Sequence, residues 1–552
     1  MKKYKLIYLL VAFASLLGCS KKLEELYANP NAPVEVPIEQ IFPSLIGAML
    51  GSSSASGSSY GMGGDIVYTG RYIQYWNNYA VTTSQNGGTQ FDEMGGTIGS
   101  SDVVGQIWAM FYYGQGQNLN KVIQWGTEQQ KWDFVGAATA LRAWGWLELT
   151  DEYNIAILRE AFNTSLQQFT YQDQEEVYDT VRTTCFRALA FLNRTDGNVN
   201  PTEFANSDAY FNNGNLDIWK KFIYGILARS YAYISNKSSY NADSVIKYAN
   251  LSMQTNADNA TLKFIGDATS GHNNYFGKRR GNIGSLLQSS YVADLMSGLN
   301  SGAFTGVFDP RAWYILRENA DSSFKGVTPG VSPLSSLGSS TFIPQNFWGN
   351  SGTSGAAPST ELGRYIYRDS AQFPIMTASE MQFLKAEAAF RKGDKTTALA
   401  AYKNAISLDF DMLSTSYPYN VPINKQITPA SKASYMANSS VVPTSESNLT
   451  LTQIMLQKYI ALYGWGVTET WVDMRRFHYT DNDPATGKQV YVGFVPAGGT
   501  LYPDNGGAYV YRVRPRYNSE YIYDIPSLRL IGAVSGVSPV PNYHTLKTWF
   551  AQ

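Results

Sequence analysis

The chain has 552 residues and a formal net charge of −1, from 43 Lys and Arg against 44 Asp and Glu. That balance leaves no cationic excess to neutralise phosphates, which excludes nucleic acid as a partner. The length is ample for one large domain or two coupled ones, and two cysteines, Cys19 and Cys185, give no disulfide framework, so stability has to come from a packed core.

The first residues carry Lys2, Lys3 and Lys5, then an apolar run over 6–17 that is shorter than the roughly 20 residues a membrane-spanning helix needs. The run ends in Leu16-Leu17-Gly18-Cys19, which resembles a bacterial lipobox, where the cysteine is diacylated and the chain is cut before it. We therefore expect a signal peptide over 1–18, lipidation at Cys19, a tether over 19–37 rich in Asn and Pro (Asn29-Pro30-Asn31-Ala32-Pro33), and a single body over 38–552. No later segment is apolar enough to span a bilayer, so the lipid alone is expected to hold the body to a membrane.

Residues 51–64 read as a Gly/Ser loop. Next, Tyr72, Tyr75, Trp76, Asn77, Asn78 and Tyr79 crowd together in RYIQYWNNYAVTTSQNG at 71–87. Aromatic faces beside amides suit a sugar, whose C–H faces stack on rings while its hydroxyls pair with donor and acceptor. Equally, the same rings would pack the early loops onto the helices behind them. Aromatics make up 14% of the chain, nearly matching the 16% that is charged, so a large helical core absorbs most of them.

Helical periodicity follows at 106–125 and 130–152, where Ala137, Leu141, Trp144 and Glu148 recur every three or four residues. It continues at 175–193, 217–235 and 242–253. Cys185 falls within the first of these and reads as a small buried apolar residue. From 255 to 373 periodicity gives way to Gly, Ser, Asn and Pro with scattered aromatics, the signature of functional loops. Helices resume at 379–392, 395–408, 451–463 and 468–477, and 491–552 is again irregular.

The clearest repeat unit is SEMQFLKAEAAFRKGDKTTALAAYKNAISLD at 379–409. Ser379 and Gln382 can form a capping box, and Gly393-Asp394 makes the turn. Ala386, Ala398, Tyr402 and Ala405 carry the small–small–aromatic–small spacing of a tetratricopeptide (TPR) hairpin. Looser pairs lie at about 106–153, 217–254 and 451–477. The expected fold is mainly α: TPR-like hairpins stacked into a superhelical scaffold, with long irregular loops and a few short β-strands.

Three longer stretches carry a family resemblance: the 379–394 helix with its Ala-Glu-Ala core, LQKYIALYGWGVTETWVDMRR at 456–476, and ALRAWGWLELTDEYN at 140–154. With the lipobox, Glu24-Glu25 and Asn29-Pro30-Asn31, they resemble the SusD/RagB family of Bacteroidetes surface lipoproteins. The chain departs from the family pattern at Arg516-Tyr517-Asn518-Ser519-Glu520, with Asp524 where Asn is usual, and in lacking a proline after Arg475-Arg476. Glu469, Asp473, Arg475, Arg476 and Glu520 are expected to form an ion-pair network tying the last helices to the C-terminal loops.

The resemblance implies a lipid-anchored outer-membrane protein facing outward. It would bind a nutrient, oligosaccharide first and peptide second, for a SusC-like TonB-dependent β-barrel transporter. It also implies a site built from early aromatics and mid-chain loops, so the candidate ligand residues are Tyr75, Trp76, Asn77 and Tyr79 with Tyr275 and Trp348. A competing class is a TPR scaffold that binds only proteins.

Catalysis has little support. His272, His478 and His544 are far apart, and no His-Glu-x-x-His, Gly-x-Ser-x-Gly, Cys-x-x-Cys or Walker-type loop occurs. Asp92-Glu93 and Asp151-Glu152 are neighbours in sequence, which says nothing of the separation across a sugar that a glycoside hydrolase requires. No catalytic residue, metal or cofactor is expected.

Overall fold

Paired helices lying one against the next form the scaffold. The computed structural model describes residues 36–51, 60–78, 92–96, 104–267, 272–352, 354–496 and 502–552. Cys19, the leader, most of the tether, and Tyr79 lie outside the described residues. The chain opens with α1 (Ile38–Leu50) and α2 (Met62–Tyr72). It continues with α3 (Gly116–Glu128), α4 (Trp132–Tyr153), α5 (Gln174–Leu192), α6 (Leu216–Ala232) and α7 (Ala242–Leu251). After a long loop region come α8 (Ala378–Lys392), α9 (Lys395–Ser416), α10 (Leu451–Ala461) and α11 (Val467–Arg476). Each of α3 to α9 packs on the next, α8 also touches α10, and α2 packs on α11. The architecture is mainly helical with TPR-like hairpins, as the repeat spacing predicts.

Local chemistry sets the helix starts. Asp173, Asn215, Asn241, Thr377 and Asp394 each accept a backbone N–H at the N-terminus of the helix that follows, and Thr450 forms a capping box with Gln453. The expected Ser379–Gln382 box is displaced: Thr377 caps α8, and the buried Ser379 Oγ instead donates to the Ala405 carbonyl of α9 at 2.8 Å. Gly393 makes the predicted turn at φ 87°. Ala386, Ala398, Tyr402 and Ala405 are all buried at the hairpin crossing.

Two of these eleven helices carry no sequence signal. α1 carries Pro43 inside it, which leaves the Glu39 carbonyl without its helical donor; Ser207 Oγ supplies one at 3.0 Å. α2 occupies part of what reads as a Gly/Ser loop. Its glycines allow close packing: a Cβ at Gly70 would lie 2.5 Å from the Trp76 ring.

Short strands fasten the loops. β1 (Trp76–Asn78) pairs antiparallel with β3 (Leu286–Gln288), and β2 (Ala260–Leu262) with β4 (Phe373–Met376). One continuous hydrophobic core runs from Ile38 to Ala551 and includes Cys185, whose thiol burial pushes far up.

Buried charge ties the scaffold together. Arg229 on α6 meets Glu380 of α8 at 2.7 Å, Glu469 of α11 at 2.6 Å and Glu148 of α4 at 3.3 Å. Arg476 pairs with Glu387 at 2.9 Å and Asp473 at 2.5 Å, and Asp473 also meets Lys458 at 2.7 Å. The expected network is therefore present for Glu469, Asp473 and Arg476, but it joins helix to helix. Arg475 stacks 3.7 Å from the Trp471 ring and donates to the Asp151 and Tyr511 carbonyls. Glu520 stands apart from the network and accepts from the Tyr171 hydroxyl.

Candidate functional site

The described residues enclose a cleft of about 640 Å³ between α1, the turn before α3, and the chain around β2. Its floor is made small by sequence: Ser44, Gly47, Ala48 and Gly51 lie on the side of α1 opposite the buried Phe42, Leu45 and Met49. A Cβ at Gly47 would meet nothing within 4 Å, so that face is open. Tyr60 and Tyr113 form one wall, with ring centroids 6.4 Å apart. Tyr210, Phe264 and His272 form the other, the Tyr210 and His272 rings meeting edge-on at 5.3 Å.

Backbone geometry aims Tyr113. Residues Gln106–Ala109 start as an α-helix whose N-terminus is capped by the buried Asp65, which accepts from Gly105, Gln106 and Ile107 N–H groups at 2.7–3.0 Å. Burial pushes that carboxyl up to about 6. Met110–Gln115 then winds as a π-helix before α3 begins. The wider turn changes the facing of the side chains within it, a device often found at functional sites. Tyr113 ends 52% exposed, while its sequence neighbour Tyr112 is largely covered. Burial of its hydroxyl end raises the Tyr113 phenol above its ordinary value, with Glu520 adding to the effect. The Arg516 guanidinium sits 5.7 Å from the Tyr113 ring centre and 5.8 Å from that of Tyr60, within cation–π range of both.

Polar groups complete the cleft. Asn118, Asn273, Lys263 and Arg280 line it beside the rings. Flat faces with amides and two cations at the edge can stack a sugar ring and bond its hydroxyls. Among the described residues no group of three or more His, Cys, Asp or Glu is placed to hold a metal.

The rings singled out by the sequence lie elsewhere. Tyr75, Trp76, Asn77, Tyr275 and Trp348 are all buried, so no face of theirs is offered to a ligand. Tyr75 packs 4.6 Å from Tyr459 and 4.8 Å from Tyr463, and its hydroxyl donates to the Tyr459 carbonyl. Trp76 Nε1 donates to Val67 at 3.0 Å, Asn77 Nδ2 to Val327 at 2.9 Å, and Trp348 Nε1 to Phe276 at 2.8 Å. Tyr275 packs against Gly63 of α2, where an added Cβ would lie 2.7 Å from its ring. A stretch dense in aromatics thus serves packing. The exposed rings sit singly, and the signal at Tyr113 was the glycine that follows it in an otherwise helical run.

Solved structures share this fold. A SusD/RagB family protein from Bacteroides thetaiotaomicron is 19% identical, with TM-score 0.64 over 94% of this chain and 99% of that one. A SusD homolog from Bacteroides fragilis is 16% identical, with TM-score 0.66 over 94% and 100%. A chitin-binding SusD homolog from Flavobacterium johnsoniae is 17% identical, with TM-score 0.63 over 93% and 98%. A stretch of 149 residues is also 31% identical to the peptidyl-Lys metalloendopeptidase of Armillaria mellea, covering 26% of this chain and only 37% of that protein's length. Among the described residues no helix is long and apolar enough to cross a membrane. The SusD-like family, described as starch-binding and associating with the outer membrane, matches residues 48–496, and the chain belongs to it.

Proposed function

We propose that this chain is a non-enzymatic nutrient-binding protein of the outer membrane that captures an oligosaccharide in the Tyr60–Tyr113–Tyr210 cleft. The observation that carries the reading is an exposed aromatic cleft, edged with amides and cations, on a SusD-like scaffold. Family membership supports a place at the outer membrane, and the chitin-binding relative of the same fold supports a glycan ligand. Removal of a leader over 1–18 and acylation of Cys19 would leave 19–37 as a lipidated tether and 38–552 as one outward-facing body. The body would then hand its ligand to a TonB-dependent transporter.

The direct test is calorimetric titration of the unlipidated body, residues 20–552, with maltooligosaccharides and chitooligosaccharides. Wild type should bind one series. Tyr113→Ala should weaken that binding about tenfold, the effect of ~1–2 kcal/mol from one stacked ring, with an unchanged urea midpoint. No glycan binding by wild type, or equal binding by the variant, would defeat the reading. Co-purification from detergent extracts should recover a large β-barrel with the full-length chain, and mass spectrometry should find acyl chains on Cys19.

A further inference from the structure

A second cleft of about 390 Å³ adjoins the aromatic one: Lys263 lines both, and Phe211 and Asn212 of the second follow Tyr210 of the first in the chain. Its character differs. Asn212, Asn213, Asn215, Asn256, Asn259 and Gln372 bring six side-chain amides to it, and no carboxylate lines it among the described residues.

The loop that presents Asn212 is rigidly built. The buried Asp208 carboxylate accepts from Gly214 N–H at 2.9 Å, Asn212 N–H at 3.3 Å and Trp219 Nε1 at 2.8 Å. Asn213 and Gly214 both take left-handed backbone conformations, at φ 59° and 71°. Asn215 then caps α6 by accepting from Asp217 and Ile218 N–H groups. On the facing wall Asn256 donates to the Leu408 carbonyl and Asn259 accepts from Ala378 N–H, which fixes both side chains.

Within this fixed frame, Asn212 is only 4% exposed, and neither its amide oxygen nor its amide nitrogen has a hydrogen-bond partner among the described residues. Native folds rarely leave a buried amide unmet, because its desolvation goes uncompensated. One donor and one acceptor side by side match what adjacent sugar hydroxyls offer.

We propose that the amide cleft is a second subsite for the glycan, taking residues of the chain that extend beyond the aromatic cleft past Lys263. This rests on the glycan reading of the first cleft. A saccharide is favoured over a peptide because the cleft's surface is mostly polar, giving apolar side chains little to bury against.

The test is a length series, from disaccharide to hexasaccharide, of maltooligosaccharides and chitooligosaccharides titrated against wild type, Asn212→Ala, Gln372→Ala and Tyr113→Ala. Gln372 is on the exposed rim, so its variant keeps the test sound if Asn212→Ala folds poorly. Asn212→Ala and Gln372→Ala should weaken the hexasaccharide severalfold to about tenfold and leave the disaccharide unchanged. Tyr113→Ala should weaken every length. Hexasaccharide affinity unchanged in both amide variants overturns the second subsite, and Tyr113→Ala then shows whether the first stands. Wild type that binds no glycan overturns both. A peptide library held through Asn212 in place of glycan overturns the saccharide assignment.

Discussion

Arg229 is the single cation on which Glu148, Glu380 and Glu469 converge, buried among four helices. Burial and the Glu469 charge hold the Glu148 carboxyl well above its ordinary range, and the Arg229 guanidinium opposes that rise. Arg229→Ala should therefore cost about 3–5 kcal/mol, since it strands buried carboxylates, and should appear as a lower urea midpoint. An unchanged midpoint would mean that the carboxyls share protons and need no cation. The same scale explains what could be read in the sequence. Arg476 and Glu387 sit in two of the three stretches that carry the family resemblance, and they pair. Trp76 and Tyr113 could not be ranked, because composition does not reveal which face of a ring is covered. Trp76 has Gly70 against its ring and Val67 on its nitrogen, whereas Tyr113 is turned outward by a π-helix that leaves no periodic trace. The densest aromatic stretch, with Tyr72, Tyr75 and Trp76 all buried, belongs to the core.

Elements with strong periodicity and caps were legible where those signals sit: α8 almost to both ends and α9 at its start, since Gly393-Asp394 both stops one helix and starts the next, although α9 runs on to Ser416, past the expected 408. α1 and α2 were not, because their Pro and Gly residues argue against helix locally and are tolerated only through tertiary contacts. Two of those glycines predict opposite outcomes from one substitution. Gly47→Ala on α1 adds a methyl to open space and should raise stability by roughly 0.5–1 kcal/mol, the helix-propensity gain. Gly70→Ala on α2 would put Cβ 2.5 Å from the Trp76 ring and should lower stability by about 1–3 kcal/mol, more than propensity returns. Urea midpoints read both, and equal effects would show that α1 and α2 pack alike. Gly47→Trp extends the argument to function: the ring should fill the cleft and abolish glycan binding with the fold intact.

Across the whole molecule, buried carboxyls link the early chain to its end. Asp65 of α2 caps the helix at 106, Asp151 of α4 accepts from Tyr178 at 2.5 Å, and Glu520 near the C-terminus accepts from Tyr171. Burial pushes them up to about 6, about 8 and about 7 respectively. Unfolded, such groups ionise near pH 4, so between about pH 4 and each raised value the folded chain binds more protons than the unfolded one. Stability fully present at the acid end of that window is lost as pH rises through it. Glu387 acts in the opposite sense. Burial favours its neutral form, but Arg476 and Arg391 outweigh that and hold it far below the ordinary carboxylate range. Its contribution is present above about pH 4.5 and is lost as pH falls below. The two limbs place the stability maximum near pH 4, with a decline toward pH 8 in which Glu520 alone accounts for about 3 kcal/mol. Urea midpoints measured across that range should trace the decline. Glu520→Gln keeps an oxygen for Tyr171 but has no proton to lose, so it should flatten the curve around pH 7. A wild-type midpoint that rises from about pH 5 to about pH 8 would contradict the assignment of these groups as protonated within the fold.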